Sequence, residues 1–581
     1  MTPSLRLVRR QAGPTDALPS TLHPVLRRVY ANRGIRHAEE LDLSLNRLHP
    51  PDGLPGLAPA AHCLAEAVTA GHRILVVGDY DADGATGTAL AVRALRAMGA
   101  QHVDFLVPSR FTHGYGLSPE LVAAARRLGP ELLLTVDNGV AAVAGVQAAR
   151  EAGLRVVVTD HHLPGAYLPP ADALVNPCLP DSAFPSRALC GAGVVFYVMA
   201  ALRRALTSRG WFDPNRPPPR LAALLDLVAL GTVADVVPLD HNNRILVQQG
   251  LERIRQGRGN PGIRALLEAA GRDPARASAA DLGFAAGPRL NAAGRLDDMG
   301  LGIRCLLADD PDQARALAEE LDRLNGERRR IELRMRQAAE AHAAALPLDA
   351  GALPPALCLH APDWHEGVIG IVAGRLRERF HRPVVAFARG QDSLLKGSAR
   401  SIPGLHVRDV LATVDARHPG LIRRFGGHAM AAGLTLAPQD LEPFRAAFCR
   451  AVASALGDAP PVAEVHSDGP LSPAELNLET ARALEAAGPW GQGFPPPSFD
   501  GHFELLDVRV VGEHHRRLVL RAEGMRRPLQ AILFHAEDRG WREDAASLHL
   551  LYRPEVNRFR DSVALQLHVQ HVLPPEPEPP G

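Results

Sequence analysis

The sequence predicts an α/β protein with an all-β end: a parallel-sheet domain, a long helix, a smaller α/β domain and a five-stranded barrel. Three patterns predict it. Four apolar runs, RILVVGD (73–79), HVDFLVP (102–108), ELLLTVD (131–137) and LRVVVTD (154–160), alternate with alanine-rich helical stretches. Continuous Val/Leu strands separated by helices argue for a parallel sheet covered on both faces. A helical pattern then runs unbroken through 310–346, with Leu317, Leu321, Leu324, Ile331 and Met335 on one face. Finally, FELLDVRVVG, RLVLRAEG, LQAILFHA, LHLLYRP and ALQLHVQHV read as five short strands joined by turns, the number a small OB-type barrel needs.

In chain order, residues 1–50 are rich in Arg and Pro and read as an N-terminal arm. The first α/β domain occupies 51–309, where 188–256 is mostly helical and NRPPPR (215–220) forms a surface loop. The helix of 310–347 connects it to a second α/β unit, 348–457, which contains PALCLH, RPVVAFAR and several glycine-rich pieces. Six arginines between 323 and 336 crowd that helix, as a solvated face or as a surface for nucleic acid. The barrel takes 458–573, and the proline-rich tail 574–581 is expected to be disordered.

Composition narrows the function classes. The chain has 581 residues, 46% hydrophobic and 22% charged, and its formal net charge is zero. A general polyanion binder is excluded, so any nucleic-acid contact must use a local stripe. The basic residues are almost all arginine, with one lysine, Lys396. The six cysteines (63, 178, 190, 305, 358 and 449) show no CxxC spacing, which argues against a zinc ribbon or a disulfide framework and for a reduced, cytoplasmic compartment. MTPSLRLVRRQAG lacks the apolar core of a signal peptide, and no apolar run reaches the roughly 18 residues a membrane helix needs.

Three of the four strands end in aspartate, which sets Asp79, Asp137 and Asp160 along the carboxyl rim where open α/β sheets bind ligands. At that rim stands GDYDADG, with Asp79, Asp81 and Asp83 at alternate positions. Three carboxylates this close repel one another unless a cation lies among them. An EF-hand would need Glu at the twelfth position and a preceding helix, whereas Leu90 and a strand stand there. A phosphatase of the DxDx(T/V) type would need its Thr one place earlier than Thr86. A two-metal hydrolase needs further oxygen and imidazole ligands, and TVDNG, VVTDHH and GTVADVVPL offer Asp137, Asp160-His161-His162 and Asp235.

DYDADG, VDNG, TDHH and Asp235 resemble the four phosphoesterase motifs of the DHH/DHHA1 family. HGYGLS, PRLNAAGR, HEGVIGIVAGR, KGSARS and FGGHAMAAGL extend the likeness to the single-strand-specific 5′→3′ exonucleases of that family, in motif order over roughly residues 50 to 570. The resemblance implies that Asp79, Asp81, Asp83, Asp137, His161 and Asp235 coordinate two divalent ions, with Asp137 as the bridge. It implies that Asp160 and His162 support that shell or meet the scissile phosphate. Carboxylate with imidazole suits Mn²⁺ or Mg²⁺ rather than zinc.

The second α/β unit resembles the DHHA1 domain. There KGSARS offers small residues beside Ser398 and Arg400 for a phosphate, or an ordinary tight turn. Gly426, Gly427 and His428 line a cleft or shape a loop, and Arg110, Arg289 and Arg295 are further backbone contacts. The barrel is expected to bind single strands. Residues 490–560 hold eight aromatics, most of them core, with one or two free to stack on bases.

The implied activity is hydrolysis of single-stranded DNA from the 5′ end to mononucleotides in repair and recombination. The expected protein is a monomer away from membranes, working with a repair helicase and a single-strand-binding protein. Two alternatives stay open: a DHH oligonucleotide or cyclic-dinucleotide phosphodiesterase, which would usually be shorter and lack a barrel, and a single-strand-binding scaffold with a vestigial metal site.

Overall fold

The Val/Leu runs form the strands their pattern predicts. In the computed structural model, which describes residues 5–11, 13–109, 116–344, 354–390, 393–457, 462–541, 545–559 and 562–574, the chain divides into two units. One comprises Glu39–Arg328 with Gly488–Pro496; the other comprises Met1–Ala38, Arg329–Ala487 and Pro497–Gly581. Among the described residues no helix is long and apolar enough to cross a membrane. Of the expected tail, 575–581 lie outside the described residues.

In the first unit the parallel sheet runs, edge to edge, His102–Leu106, Arg73–Val77, Leu132–Val136, Arg155–Thr159 and Ala173–Val175. Its central strands are buried on both faces, which is why they read as unbroken apolar runs. Leu75, Val77, Leu133, Val156 and Val158 pack on Leu121, Val122 and Val146 from the helices Pro119–Arg126 and Val143–Glu151. The helices Ala82–Ala97, Gly191–Ser208 and Leu225–Ala234 pack against one another, and the apolar GAGVVFYVMAAL stretch is buried among them. Residues 488–496 belong to this unit: Leu239 donates its N–H to the Gln492 carbonyl at 2.7 Å, and Arg244 lies 4.4 Å above the Phe494 ring.

The second unit holds a mixed sheet ordered Arg424–Gly427, Ala431–Leu436, Leu395–Arg400, Val384–Arg389 and Leu357–His360, over a core of Phe387, Phe444 and Phe448. Its barrel is closed, as the five-strand pattern predicts: Phe499–Val511, His515–Ala522, Leu529–Leu533, Ser562–Val572 and Ser547–Phe559 in order around the ring. Of the segment expected as an N-terminal arm, residues 1–38 belong to this unit and 39–50 to the first. Strand Leu5–Arg9 pairs in parallel with Ala463–Ser467, and Arg33 donates to both oxygens of buried Asp468 at 2.9 and 3.0 Å. The long helix spans Pro311–Ala344, with Leu321, Leu324 and Met335 buried. Arg323 pairs with Glu320 and Arg336 with Glu340, so part of its basic face is balanced within the helix.

Candidate metal centre and nucleic-acid contacts

Three adjacent strands deliver three aspartates to one edge. Strand Arg73–Val77 runs through Gly78 to Asp79, Leu132–Val136 ends at Asp137, and Arg155–Thr159 ends at Asp160. Asp81 caps the helix Ala82–Ala97, accepting the N–H groups of Asp83 and Gly84 at 3.0 Å each. Asn291 fixes the same turn by accepting the Ala82 N–H at 2.9 Å. Asp83 is buried and held from a distant segment: the first amides of the helix Gly191–Ser208 donate to it, Gly191 at 2.5 Å and Ala192 at 3.0 Å. Asp137 has φ 63°, a left-handed conformation that is uncommon outside glycine and turns its side chain into the site. A Cβ at Gly191 would stand 2.5 Å from the Asp137 Cβ, so only glycine allows these segments to meet. Asp235 caps the C-terminus of the helix Leu225–Ala234.

His161 ties the group together. Its Nε2 lies 3.0 Å from Asp137, 3.5 Å from Asp235 and 3.9 Å from Asp83. Potential ligand atoms converge as Asp79–Asp81–Asp137, Asp83–His161–Asp235 and Asp137–His161–His162, each set lying within 4.8 Å. The Nε2 atom is buried and makes no hydrogen bond to any described residue, although it faces carboxylate oxygens. Such an atom fits a metal ligand.

The electrostatics agree. Burial, then Asp81, raises the Asp83 pKa to about 6. Burial and the neighbouring aspartates push Asp137 and Asp235 well above the carboxylate range. Burial, then His162, lowers His161 to about 4, leaving it neutral as a ligand must be. A donor set of five carboxylates and a neutral imidazole fits divalent ions that favour oxygen.

Asp160 plays a different part. It accepts the N–H groups of Val140, His161 and His162, and its Oδ1 sits 2.7 Å from His162 Nδ1. These bonds outweigh burial and keep Asp160 below the usual carboxylate range. Burial opposes a proton on His162, but the Asp160 bond and the nearby carboxylates outweigh it and raise that pKa to about 9.

The remaining expected contacts belong to both units. Arg110 lies outside the described residues. Arg289 is largely buried, donating to the Ala285 carbonyl at 2.8 Å and pairing with Asp322 at 2.6 Å on the helix Gly287–Leu296. Arg295 sits half-buried in the last turn of that helix.

KGSARS is a strand with partners on both sides, so its amides serve the ladder rather than a phosphate. Its alternation instead sets Lys396, Ser398 and Arg400 on the more exposed face, with Arg400 donating to Ser398 Oγ at 3.0 Å. Register brings Gly433 beside both Ser398 and Gly426, and Ala432 beside Gly427, while the His428 N–H closes the hairpin onto Ala431. Of the barrel-region aromatics, Phe494, Phe499, Phe503 and Tyr552 are buried, while Phe534 is exposed between His515 and His568. Asn291 and the Gly191–Ala192 amides were missed as site residues. The PRLNAAGR motif contains the first, but no local pattern marks the others.

A parallel sheet whose carboxyl edge gathers acidic and histidine ligands defines a metal-dependent phosphoesterase. The comparisons agree. The DHH family N-terminal domain matches residues 73–232, the DHHA1 domain 354–454 and the RecJ OB domain 467–571. Over 576 residues the chain is 51% identical to the single-stranded-DNA-specific exonuclease RecJ of Escherichia coli K12, covering 99% of this chain and 100% of that one. The crystal structure of RecJ with Mn²⁺ from Thermus thermophilus matches with a TM-score of 0.82 at 33% identity, over 99% of this chain and 80% of that one. The Mg²⁺ complex from the same organism matches at a TM-score of 0.76 and 31% identity, over 99% and 79%. The chain belongs to the RecJ family of single-stranded-DNA-specific exonucleases.

Proposed function

We propose that this protein hydrolyses single-stranded DNA from the 5′ end to 5′-mononucleotides, using two divalent cations, Mn²⁺ or Mg²⁺, in DNA repair and recombination. The observation that carries the reading is the convergence of Asp79, Asp81, Asp83, Asp137, Asp235 and His161 at one sheet edge, in a chain 51% identical to a single-stranded-DNA-specific exonuclease. Those six residues would hold the cations, with Asp137 shared between them. Bound cations of this kind activate a water at neutral pH and stabilise charge on the phosphate.

The chain's own groups supply the rest. His162, whose ring Nδ1 lies 2.7 Å from Asp160, would face the scissile phosphate and donate to it. Asp160 is a positioning residue, because its oxygens hold the 160–162 turn and the His162 ring. Ser398 and Arg400, with Gly426, Gly427 and His428, and also Arg110, Arg289 and Arg295, would contact the nucleic-acid backbone. The barrel would guide the strand, with Phe534 free to stack. The finer reading is a cytoplasmic monomer that acts with a repair helicase and a single-strand-binding protein.

The test uses one single-stranded DNA labelled at either end, with Mn²⁺ or EDTA. Immediate release of the 5′ label as a mononucleotide, gradual shortening of the 3′-labelled strand and arrest by EDTA are expected. Cleavage of dinucleotides alone would move the protein to the short-substrate phosphodiesterases. Binding without cleavage in any metal would make it a scaffold.

A further inference from the structure

Among the described residues of the first unit, the four most exposed large apolar side chains are Phe284 (86%), Tyr167 (80%), Leu163 (63%) and Val236 (62%). Three of them lie on segments that adjoin the candidate metal ligands. Leu163 follows His162 in the chain, and Val236 follows Asp235. Phe284 sits on a turn that packs against the residues preceding Asp235. A Cβ built on Gly283 would lie 3.0 Å from Val233 Cγ1, and one on Gly287 would lie 3.2 Å from Ala234 Cβ. Val233 and Ala234 immediately precede Asp235. Phe284 also lies in a π-helical turn, Leu282–Ala286, which leads into the helix whose Asn291 holds the Ala82 amide. π-helical turns of this kind cluster at functional sites.

Large apolar groups scattered singly over a surface need no explanation; a set carried by the segments that hold a buried polar centre does. The ring face of Phe284 has the chemistry to cover a nucleobase. Such stacking is tolerant of sequence because every base has a π-face, which suits an enzyme that must accept any nucleotide at the end it degrades. The polar groups of the metal centre suit the phosphate, whereas a base calls for an apolar face.

We propose that Phe284, flanked by Val236, is the base-stacking platform of the active site, holding a nucleobase of the single-stranded substrate beside the reacting phosphate. This rests on the exonuclease reading and assigns the base contact within it. Alanine removal of a stacking aromatic weakens binding by roughly 5- to 100-fold.

The test compares wild type, F284A and F284W on single-stranded DNA carrying one abasic nucleotide, walked along the strand from the 5′ end. On the unmodified strand KM should rise roughly 5- to 100-fold in F284A, with kcat falling far less, and F284W should stay near wild type. At one abasic position the wild type should lose affinity by a similar factor, and F284A should lose none. A second readout needs no turnover: quenching of 2-aminopurine at that position on binding in EDTA should occur with wild type and F284W and be absent with F284A.

Unchanged KM in F284A, or a raised KM with the abasic penalty intact, would overturn the proposal. Quenching retained in F284A would overturn it too. Wild-type affinities for DNA coupled to loss of a protein partner would make Phe284 a protein-docking residue instead. If the wild type cleaves nothing, the exonuclease reading fails, and the quenching experiment still decides the stacking.

Discussion

Replacing Gly231 with alanine adds one methyl group behind Asp83, one of the proposed metal ligands, and the structure says what it meets. The new Cβ would lie 2.6 Å from Asp83 Oδ1, 2.6 Å from Thr86 Oγ1 and 2.9 Å from Ala192 Cβ. All three neighbours are buried, and Asp83 is pinned from its other side by the Gly191 and Ala192 amides. None can yield without moving a helix or a ligand. In an open helix position the same change would stabilise by about 1 kcal/mol, because alanine is the better helix former. Here overpacking reverses the sign, at a cost of about 1–3 kcal/mol. For a unit of this size that lowers Tm by roughly 2–5 °C. Gly326, in the long helix, is the control: its Cβ would meet nothing within 4 Å, so G326A should hold or raise Tm. Thermal unfolding of both variants in EDTA, followed by Mn²⁺ titration, gives the comparison. G231A should melt lower and bind Mn²⁺ more weakly. If it melts like G326A and binds Mn²⁺ like wild type, the packing argument for how Asp83 is held is wrong.

Three further outcomes are expected. D83N should lower turnover by at least about 100-fold, since even residues that only support metal ligands cost 10–100-fold when changed; steady-state rates with an unchanged circular dichroism spectrum check it. In metal-free protein the Asp83 pKa, raised from 3.8 to about 6, makes its stabilising contribution full below about pH 4 and lost as pH rises through 6; this amounts to about 3 kcal/mol and is read as Tm against pH in EDTA, with Mn²⁺ restoring the loss. R33A leaves the buried Asp468 carboxylate to Asn32, the Ser498 amide and the more distant Arg10, so the second unit should lose about 3–5 kcal/mol, seen as a lower denaturant midpoint.

Much of the fold was legible because it is written in local periodicity. The four apolar runs, the long helix and the five barrel strands stand where their patterns put them, and aspartates at strand ends already implied a common rim. What escaped depends on partners far away in the chain. The short strand Ala173–Val175 sits between prolines and is too brief to show a period. KGSARS looked like a turn because glycine and serine are poor strand formers. Gly397 is small because Phe387 and Leu434 press on it, with a Cβ there meeting them at 2.5 and 2.7 Å. Strand Leu5–Arg9 shows its role only beside Ala463–Ser467, and residues 488–496 only beside Leu239 and Arg244. At the site the acidic and histidine residues were visible by type and order. The amides holding Asp83 lie 108 and 109 positions further along the chain, beyond any local pattern. Arg289 was chosen for its charge, and its pairing with Asp322 follows from packing that charge alone does not reveal.

The central claim is that one cluster of carboxylates and His161 holds two catalytic cations that share Asp137. Counting Mn²⁺ bound per chain at equilibrium, for wild type and for D137N, tests it most directly. The account predicts two ions per wild-type chain, and at most one weakly bound ion in D137N, with hydrolysis of single-stranded DNA lost in parallel. Two ions retained in D137N with activity intact, or no ion bound by the wild type, would contradict it.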